Sequence, residues 1–175
     1  MLQFCDRIDG DLCFLRLINK SKDLDIWSSW FNDKDVLRYS IHRTSKTTPE
    51  KQLAVLKKIN ECDKKFQFMI CMTPDSPVGV ISIIFDEFFS SGSISIIIGE
   101  KSQWGKGIAT DAINSLTKEI KSINCGIKLR AGCDSRNIGS RKAFEKAGFR
   151  LTKTVLKNIK YDDDPRFYDL DLMEL

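Results

Sequence analysis

The sequence predicts an α/β (α+β) fold: a mixed, mostly antiparallel, seven-stranded twisted sheet with helices on both faces. Three observations lead there. Short apolar runs alternate with amphipathic stripes of helical spacing along the whole chain. Three strand-like runs between residues 66 and 98 follow one another through short polar turns, the pattern of antiparallel hairpins. A strand, a helix and a strand then follow in order, which calls for a right-handed parallel crossover.

The apolar run at 12–18 gives the first strand. Leu24, Ile26, Trp27, Trp30 and Phe31 recur at helical spacing and give the first helix. A second helix begins near Thr48, because Pro49 suits the first helical position and Thr47 with Glu50 has capping-box spacing. Its stripe is Leu53, Val55, Leu56 and Ile59. Strands at 66–72 and 78–85 flank the turn signal Pro74-Asp75-Ser76-Pro77, and a strand at 91–98 follows Ser90-Ser91-Gly92. From Gly107 to about residue 122 a helix carries Ile108, Ala109, Ala112, Ile113, Leu116 and Ile120 on one face. A strand at 128–133 precedes a helix at 137–147, which Gly148 stops in the C′ position. Strands at 149–156 and 166–173 close the sheet, the last alternating Tyr168, Leu170 and Leu172 with Asp169 and Asp171. With no linker, repeat or biased segment in between, residues 1–175 read as one domain.

Composition narrows the functional classes. At 175 residues, 42% hydrophobic and 30% charged, the chain has ordinary soluble globular composition. No apolar run approaches the ~20 residues that span a bilayer, so no membrane partner is expected. The six cysteines form no CxxC, and the single histidine, His42, is far from any paired cysteines, so no metal is expected. Cys13, Cys71 and Cys133 sit in apolar runs, as small buried hydrophobes do. Residues 1–7 lack an apolar signal core, which points to a reduced, cytoplasmic protein. The net charge of +4 is too mild to name a partner, but residues 136–160 hold eight basic residues against one acid, Glu145. That run suits a phosphate-bearing ligand or a solvated helix face. A nucleic-acid-binding reading lacks interleaved aromatics beyond Phe144 and Phe149, and no nucleic-acid partner is expected.

The informative stretch runs from residue 96 to residue 110, IIIGEKSQWGKGIAT. An apolar strand enters a glycine-bearing turn that opens an amphipathic helix. The first helical turn has N–H groups without intrahelical partners, and the helix dipole adds partial positive charge. Gly105 and Gly107 lack a Cβ and Ala109 keeps the surface low, so an anion can reach the main chain. The same spelling also suits an ordinary strand-to-helix turn. The P-loop GxxxxGK[ST] and the dinucleotide GxGxxG are both absent, Thr110 standing where the latter needs its last glycine.

Here the sequence resembles the GCN5-related N-acetyltransferase (GNAT) family, in its ribosomal-protein-acetyltransferase-like branch. The family's acetyl-CoA signature [RQ]-x-x-G-x-[GA] is similar to residues 104–109, with Gly107 and Ala109 matching and Trp104 where Arg or Gln is usual. The branch's W-G-K-G-x-[AG]-T continues through Thr110. Residues 137–149 resemble the family's N-x-x-[AS]…E-K-x-G-F segment, and Trp30-Phe31-Asn32-Asp33 to Tyr39 resembles the branch's entry region.

The resemblance implies a sheet splayed between its fourth and fifth strands, here 91–98 and 128–133, with the pantetheine arm in the wedge. It implies an acetyl-CoA-dependent N-acetyltransferase with acetyl-CoA as co-substrate. The acetyl group would pass to a primary amine (protein N-terminus, amino sugar or another small amine) by direct attack in a ternary complex, in a monomer or homodimer. Backbone groups of Ile96, Ile97 and Ile98 would hold the arm and polarise the thioester. The N–H groups of Trp104, Gly105, Lys106, Gly107, Ile108, Ala109 and Thr110 would hold the pyrophosphate. Asn137 would contact the arm, and Arg141 or Lys142 would reach the 3′-phosphate. The family's tyrosine acid falls on Phe144, which cannot donate, so Ser140 becomes the candidate general acid. The glutamate often found early on the fourth strand falls on Ser93. That leaves Glu87, with Asp86, Glu100, Asp134 and His42, as candidate bases. Phe144 and Ser93 also motivate the alternative of a catalytically weak CoA- or peptide-binding module. Trp30, Phe31, Phe88 and Phe89 read as packing residues, with the alternative that Phe88 and Phe89, which follow a strand, wall the acceptor pocket.

Overall fold

The computed structural model describes residues 4–18 and 21–175. One sheet of eight strands runs through them in the order β1-β2-β3-β4-β5-β6-β8-β7. The strands are β1 (Arg7–Asp9), β2 (Phe14–Leu17), β3 (Lys65–Thr73), β4 (Ser76–Phe85), β5 (Ser91–Ile98), β6 (Lys128–Asp134), β7 (Arg150–Tyr161) and β8 (Asp164–Glu174). The helices are α1 (Ser21–Trp30), α2 (Pro49–Asn60), α3 (Ile108–Ile123) and α4 (Ile138–Lys146). Every neighbouring pair is antiparallel except β5 and β6, which the α3 crossover makes parallel.

The expected seven strands become eight because Arg7–Asp9 pairs with β2, with Ile8 opposite Leu15. Three residues carrying one apolar side chain give too little periodicity to read. The seven expected strands are all present, and the fourth and fifth of that count are β5 and β6. Helix α2 is capped by Thr48 rather than Thr47: the Thr48 hydroxyl accepts the Lys51 N–H, and Pro49 takes the first helical position. Leu53 and Val55 lie on the exposed side of α2, and Gln52, Leu56 and Ile59 are the residues it buries.

Strand alternation builds two cores. Along β3, Phe68 and Ile70 face a cluster with Ile108, Ile113, Leu116 and Phe144 from α3 and α4. Met69 and Cys71 face the opposite cluster with Trp27, Trp30 and Leu56 from α1 and α2. Trp30 closes against the end of β5, where any Cβ on Gly99 would lie 2.0 Å from the indole. Arg16 on β2 makes a bidentate bond of 2.7 Å on each arm to buried Asp23, tying the first helix to the sheet.

A second anchor fixes the start of α3. The Asp111 carboxylate accepts the main-chain N–H groups of Asp11, Leu12 and Cys13 at 3.0, 2.9 and 2.9 Å, so the β1–β2 turn is bolted to the first turn of α3. Burial alone would raise the Asp111 pKa, but these donors and the Cys13 thiol outweigh it and hold the carboxyl below its ordinary value. The contribution is therefore complete above the unfolded value of about 3.9 and is lost as pH falls through the lower folded value. Asp111→Ala should cost about 2 kcal/mol, a Tm lower by about 4–8 °C in thermal unfolding at neutral pH. The difference between variant and wild type should shrink on acidification.

Candidate functional site

The parallel β5–β6 ladder pairs Ser91 with Lys128 through Ile94 with Ala131 and then stops. Beyond it β5 stays paired with β4, through Ser82↔Ser95 to Gly79↔Ile98, and β6 stays paired with β8, through Gly132↔Leu172 to Asp134↔Leu170. Each strand keeps its outer partner while the inner ladder opens into a wedge.

The Gly99 N–H donates to the Val78 carbonyl at 2.9 Å, which sets the phase of the β4–β5 ladder. Alternation then turns the main-chain groups of Ile97 toward β4 and those of Ile94, Ile96 and Ile98 toward β6. Ile94 lies within the β6 ladder, so Ile96 and Ile98 are the residues whose main chain opens into the wedge. The Ile98 carbonyl accepts the Trp104 indole N–H at 2.8 Å. Of the three expected residues, Ile96 offers both groups and Ile98 its N–H, whereas the main chain of Ile97 serves β4.

The turn after β5 leads to the start of α3. Gly105 and Gly107 have φ of +75° and +85°, the left-handed region that a glycine enters without steric penalty. Gly107 is the N-cap of α3 and supplies no side-chain cap. The first intrahelical bond is from Asp111 N–H to Gly107 carbonyl, so the N–H groups of Ile108, Ala109 and Thr110 lack intrahelical acceptors. Residues 104–107 are exposed, and a Cβ built on Gly105 meets nothing within 4 Å. The Trp104 N–H is the exception among the expected donors, since it bonds the Lys101 carbonyl at 3.2 Å. An open, uncapped, positively polarised helix end thus stands just past the end of the strand that lines the wedge.

Helix α4 flanks this end, and the Thr110 hydroxyl bonds the Ala143 carbonyl at 3.4 Å. Asn137 caps α4, its Oδ1 accepting the Ser140 N–H at 3.1 Å, so only the amide NH2 is left to meet a ligand. Arg141 is engaged by Glu145 at 2.9 Å and Asp171 at 3.4 Å. Lys142 and Lys106 are exposed and make no ion pair among the described residues.

An acetyltransferase (GNAT) domain family matches residues 13–150 of this sequence, more than three quarters of the chain. The chain belongs to the GNAT acetyltransferase family. Solved structures agree in fold. A GNAT-family acetyltransferase from Bacillus anthracis superposes with a TM-score of 0.81 at 19% identity, covering 97% of each chain. Spermidine N-acetyltransferase from Vibrio cholerae, solved with CoA and spermine, gives 0.82 at 17% identity over 95% of this chain and 96% of its own. The ribosomal L7/L12 α-N-protein acetyltransferase RimL, solved with CoA, gives 0.84 at 13% identity over 97% of each. A search of curated protein sequences finds no match.

In this acetyltransferase the candidate proton carriers fall in different places. Ser140 lies in the first turn of α4 with its hydroxyl against the Cys133 thiol, on the wedge-facing end of β6. Burial, reinforced by the Asp171 charge and opposed by that hydroxyl, pushes the Cys133 thiol up to about 11. Glu87 lies in the β4–β5 turn, at the far end of β5 from the wedge. Ser91 to Ile96 alone spans about 17 Å of extended strand, so Glu87 is not brought to the site. Asp86 in the same turn accepts from Ser90 and Ser91, the Ser90 hydroxyl foremost, and is held down at about 2. Phe88 and Phe89 share that remote end, where Phe89 packs on Phe85 at 5.5 Å. Phe144 is buried against Phe149 in the α3–α4 core. Glu100 accepts the Ser102 hydroxyl at 3.0 Å, and His42 is exposed in the α1–α2 segment.

Asp134 stands at the wedge-facing end of β6, and its side chain is fully buried. It accepts Arg136 through Nε and a terminal nitrogen at 2.9 and 2.6 Å, and the Tyr161 hydroxyl at 2.7 Å. Arg136 in turn lies 3.2 Å from the Tyr168 ring centroid. Arg43 joins this group from the α1–α2 segment, its guanidinium 3.9 Å from the Tyr161 ring centroid, and the group has no local pattern in sequence because more than 100 residues separate Arg43 from the hairpin. Asp134 is thus a positioning hub. Burial would raise its pKa, but Arg136 first and then Tyr161 outweigh it and leave the carboxyl below its ordinary value. Asp134→Ala should therefore cost about 3 kcal/mol, measured by urea unfolding at neutral pH. That gap should narrow as pH falls below the ordinary carboxylate range, where the wild-type carboxyl is protonated.

Proposed function

We propose that residues 1–175 act as one N-acetyltransferase domain of the ribosomal-protein-acetyltransferase-like branch. It moves an acetyl group from acetyl-CoA to a primary amine by direct attack in a ternary complex. The observation that carries this reading is the uncapped start of α3 at Gly107 beside the opened β5–β6 ladder. An anion-binding helix end and unpaired strand amides stand where one extended diphosphate-bearing thioester can meet both. The six free cysteines and the lack, among the described residues, of any helix able to cross a membrane are compatible with the cytoplasmic location expected from the sequence.

The N–H groups of 105–110 hold the pyrophosphate, with Lys106 and Lys142 as mobile cations beside it. The Ile96 N–H and carbonyl and the Ile98 N–H hold the arm, and an N–H of that edge polarises the thioester carbonyl. The amine nitrogen adds to the thioester carbon to form the C–N bond, the oxyanion collapses with loss of the C–S bond, and the Ser140 hydroxyl gives the departing sulfur a proton and regains one from water. The amine's own proton passes to water at the open mouth, since Asp86 and Asp134 are already committed as acceptors. Positioning and stabilisation of the oxyanion supply most of the rate.

Acetyl-CoA at a hundred times its Kd should stabilise the protein by about 2.7 kcal/mol, a Tm higher by about 5–10 °C. Gly107→Val should abolish the shift, with the ligand-free Tm of the variant as the control for folding. Ser140→Ala should keep the shift and lower kcat by about 10²-fold, read as CoA release. Binding without turnover across an amine panel would instead support the binding-module alternative.

A further inference from the structure

The segment between α1 and α2 crosses the mouth of the wedge and is pinned on both sides. On the β5 side, Lys101 bonds Asp33 and Asp35 at 2.8 and 3.1 Å. On the β6 side, Arg43 bonds Asp163 at the β7–β8 turn, with its Nε at 2.7 Å. Arg43 also lies 3.9 Å from the ring centroid of Tyr161, whose hydroxyl reaches Asp134 at the end of β6. The segment therefore bridges the two strands that diverge.

Between its limbs and the hairpin turn is an open cavity of about 520 Å³, walled by Phe31, Lys34, Arg38, Arg43, Lys46 and Asp163 among others. That volume suits a small molecule. The cavity's charge is one-sided. Four cations wall it against one acid, Asp163, which is spent on Arg43, while Asp33 and Asp35, which flank Lys34 in sequence, lie outside the lining and share Lys101. Lys34, Arg38 and Lys46 are exposed, with no carboxylate partner among the described residues.

Resting on the N-acetyltransferase reading above, we infer that the acceptor is a small amine that carries its own anion, a phosphate or carboxylate. Lys34, Arg38 and Lys46 hold that anion while the amine points into the wedge. Such an arrangement discriminates by attraction toward anionic amines and by repulsion against polyamines. The chemistry is unchanged by the anion: the acetyl C–S bond breaks, the C–N bond forms, and CoA leaves as the thiol.

The test compares matched acceptors with the full-length protein at low ionic strength: glucosamine with glucosamine 6-phosphate, and ethanolamine with phosphoethanolamine and β-alanine. The anionic member of at least one set should have a kcat/KM about tenfold or more higher, the scale of one charged contact. The preference should collapse in Lys34→Glu/Lys46→Glu, and the phosphate and carboxylate arms separate the two anions. A second measurement does not depend on turnover. In CoA-saturated protein, whose α3 end is filled, millimolar inorganic phosphate should raise the Tm, and the double variant should lose that rise. Equal or better use of the uncharged amines or of spermidine, or no phosphate effect on the CoA-saturated protein, overturns the inference and leaves the N-acetyltransferase reading standing. Absence of acetyl-CoA binding overturns both.

Discussion

The site depends on two strands that stop pairing in the middle of a sheet. Main-chain N–H and carbonyl groups at a buried position demand partners, and a sheet normally supplies them all. Past Ile94 and Ala131, β5 and β6 keep their outer neighbours and lose each other. Among the described residues the structure gives the Ile98 carbonyl to the Trp104 indole and the Asp134 carbonyl to the Asn137 N–H. On the reading proposed above, the Ile96 groups and the Ile98 N–H meet a ligand that runs between the strands as a strand would.

The scaffold around this gap is anchored on both sides. Asp111 fixes the start of α3 to the β1–β2 turn, and Trp30 fills the space over Gly99 at the end of β5. Asp134, Arg136 and Tyr161 fix the end of β6. Asp111 and Asp134 are thus occupied as anchors on the two sides of the gap. In the mechanism proposed above, the chemistry that remains falls to main-chain dipoles, the Ser140 hydroxyl and water.

Much of this was legible in the residues. Long strands and helices with strong periodicity, such as 91–98 and the stripe from Ile108 to Ile120, carry their own signal. The glycines at 105 and 107 announced a helix end that side chains do not block, and the φ values give the physical reason. Other features were not legible because they depend on register or on distant partners. The phase that turns Ile96 but not Ile97 into the wedge is set by one bond between Gly99 and Val78. Glu87 was attractive as an acid next to a strand, yet it adjoins the wrong end of that strand. The pairing of Arg141 with Asp171, thirty residues on, depends on how α4 packs against β8. The Arg43–Tyr161–Asp134 chain joins three segments that share no local pattern.

Amide hydrogen exchange, resolved by residue and measured with and without acetyl-CoA, tests the central claim most directly. The amides of Ile96, Ile98 and residues 108–110 should exchange readily in the free protein and become protected when acetyl-CoA is added, while the Ile97 amide stays protected in both. Ile96 and Ile98 already protected without ligand, or unchanged by it, would contradict the account.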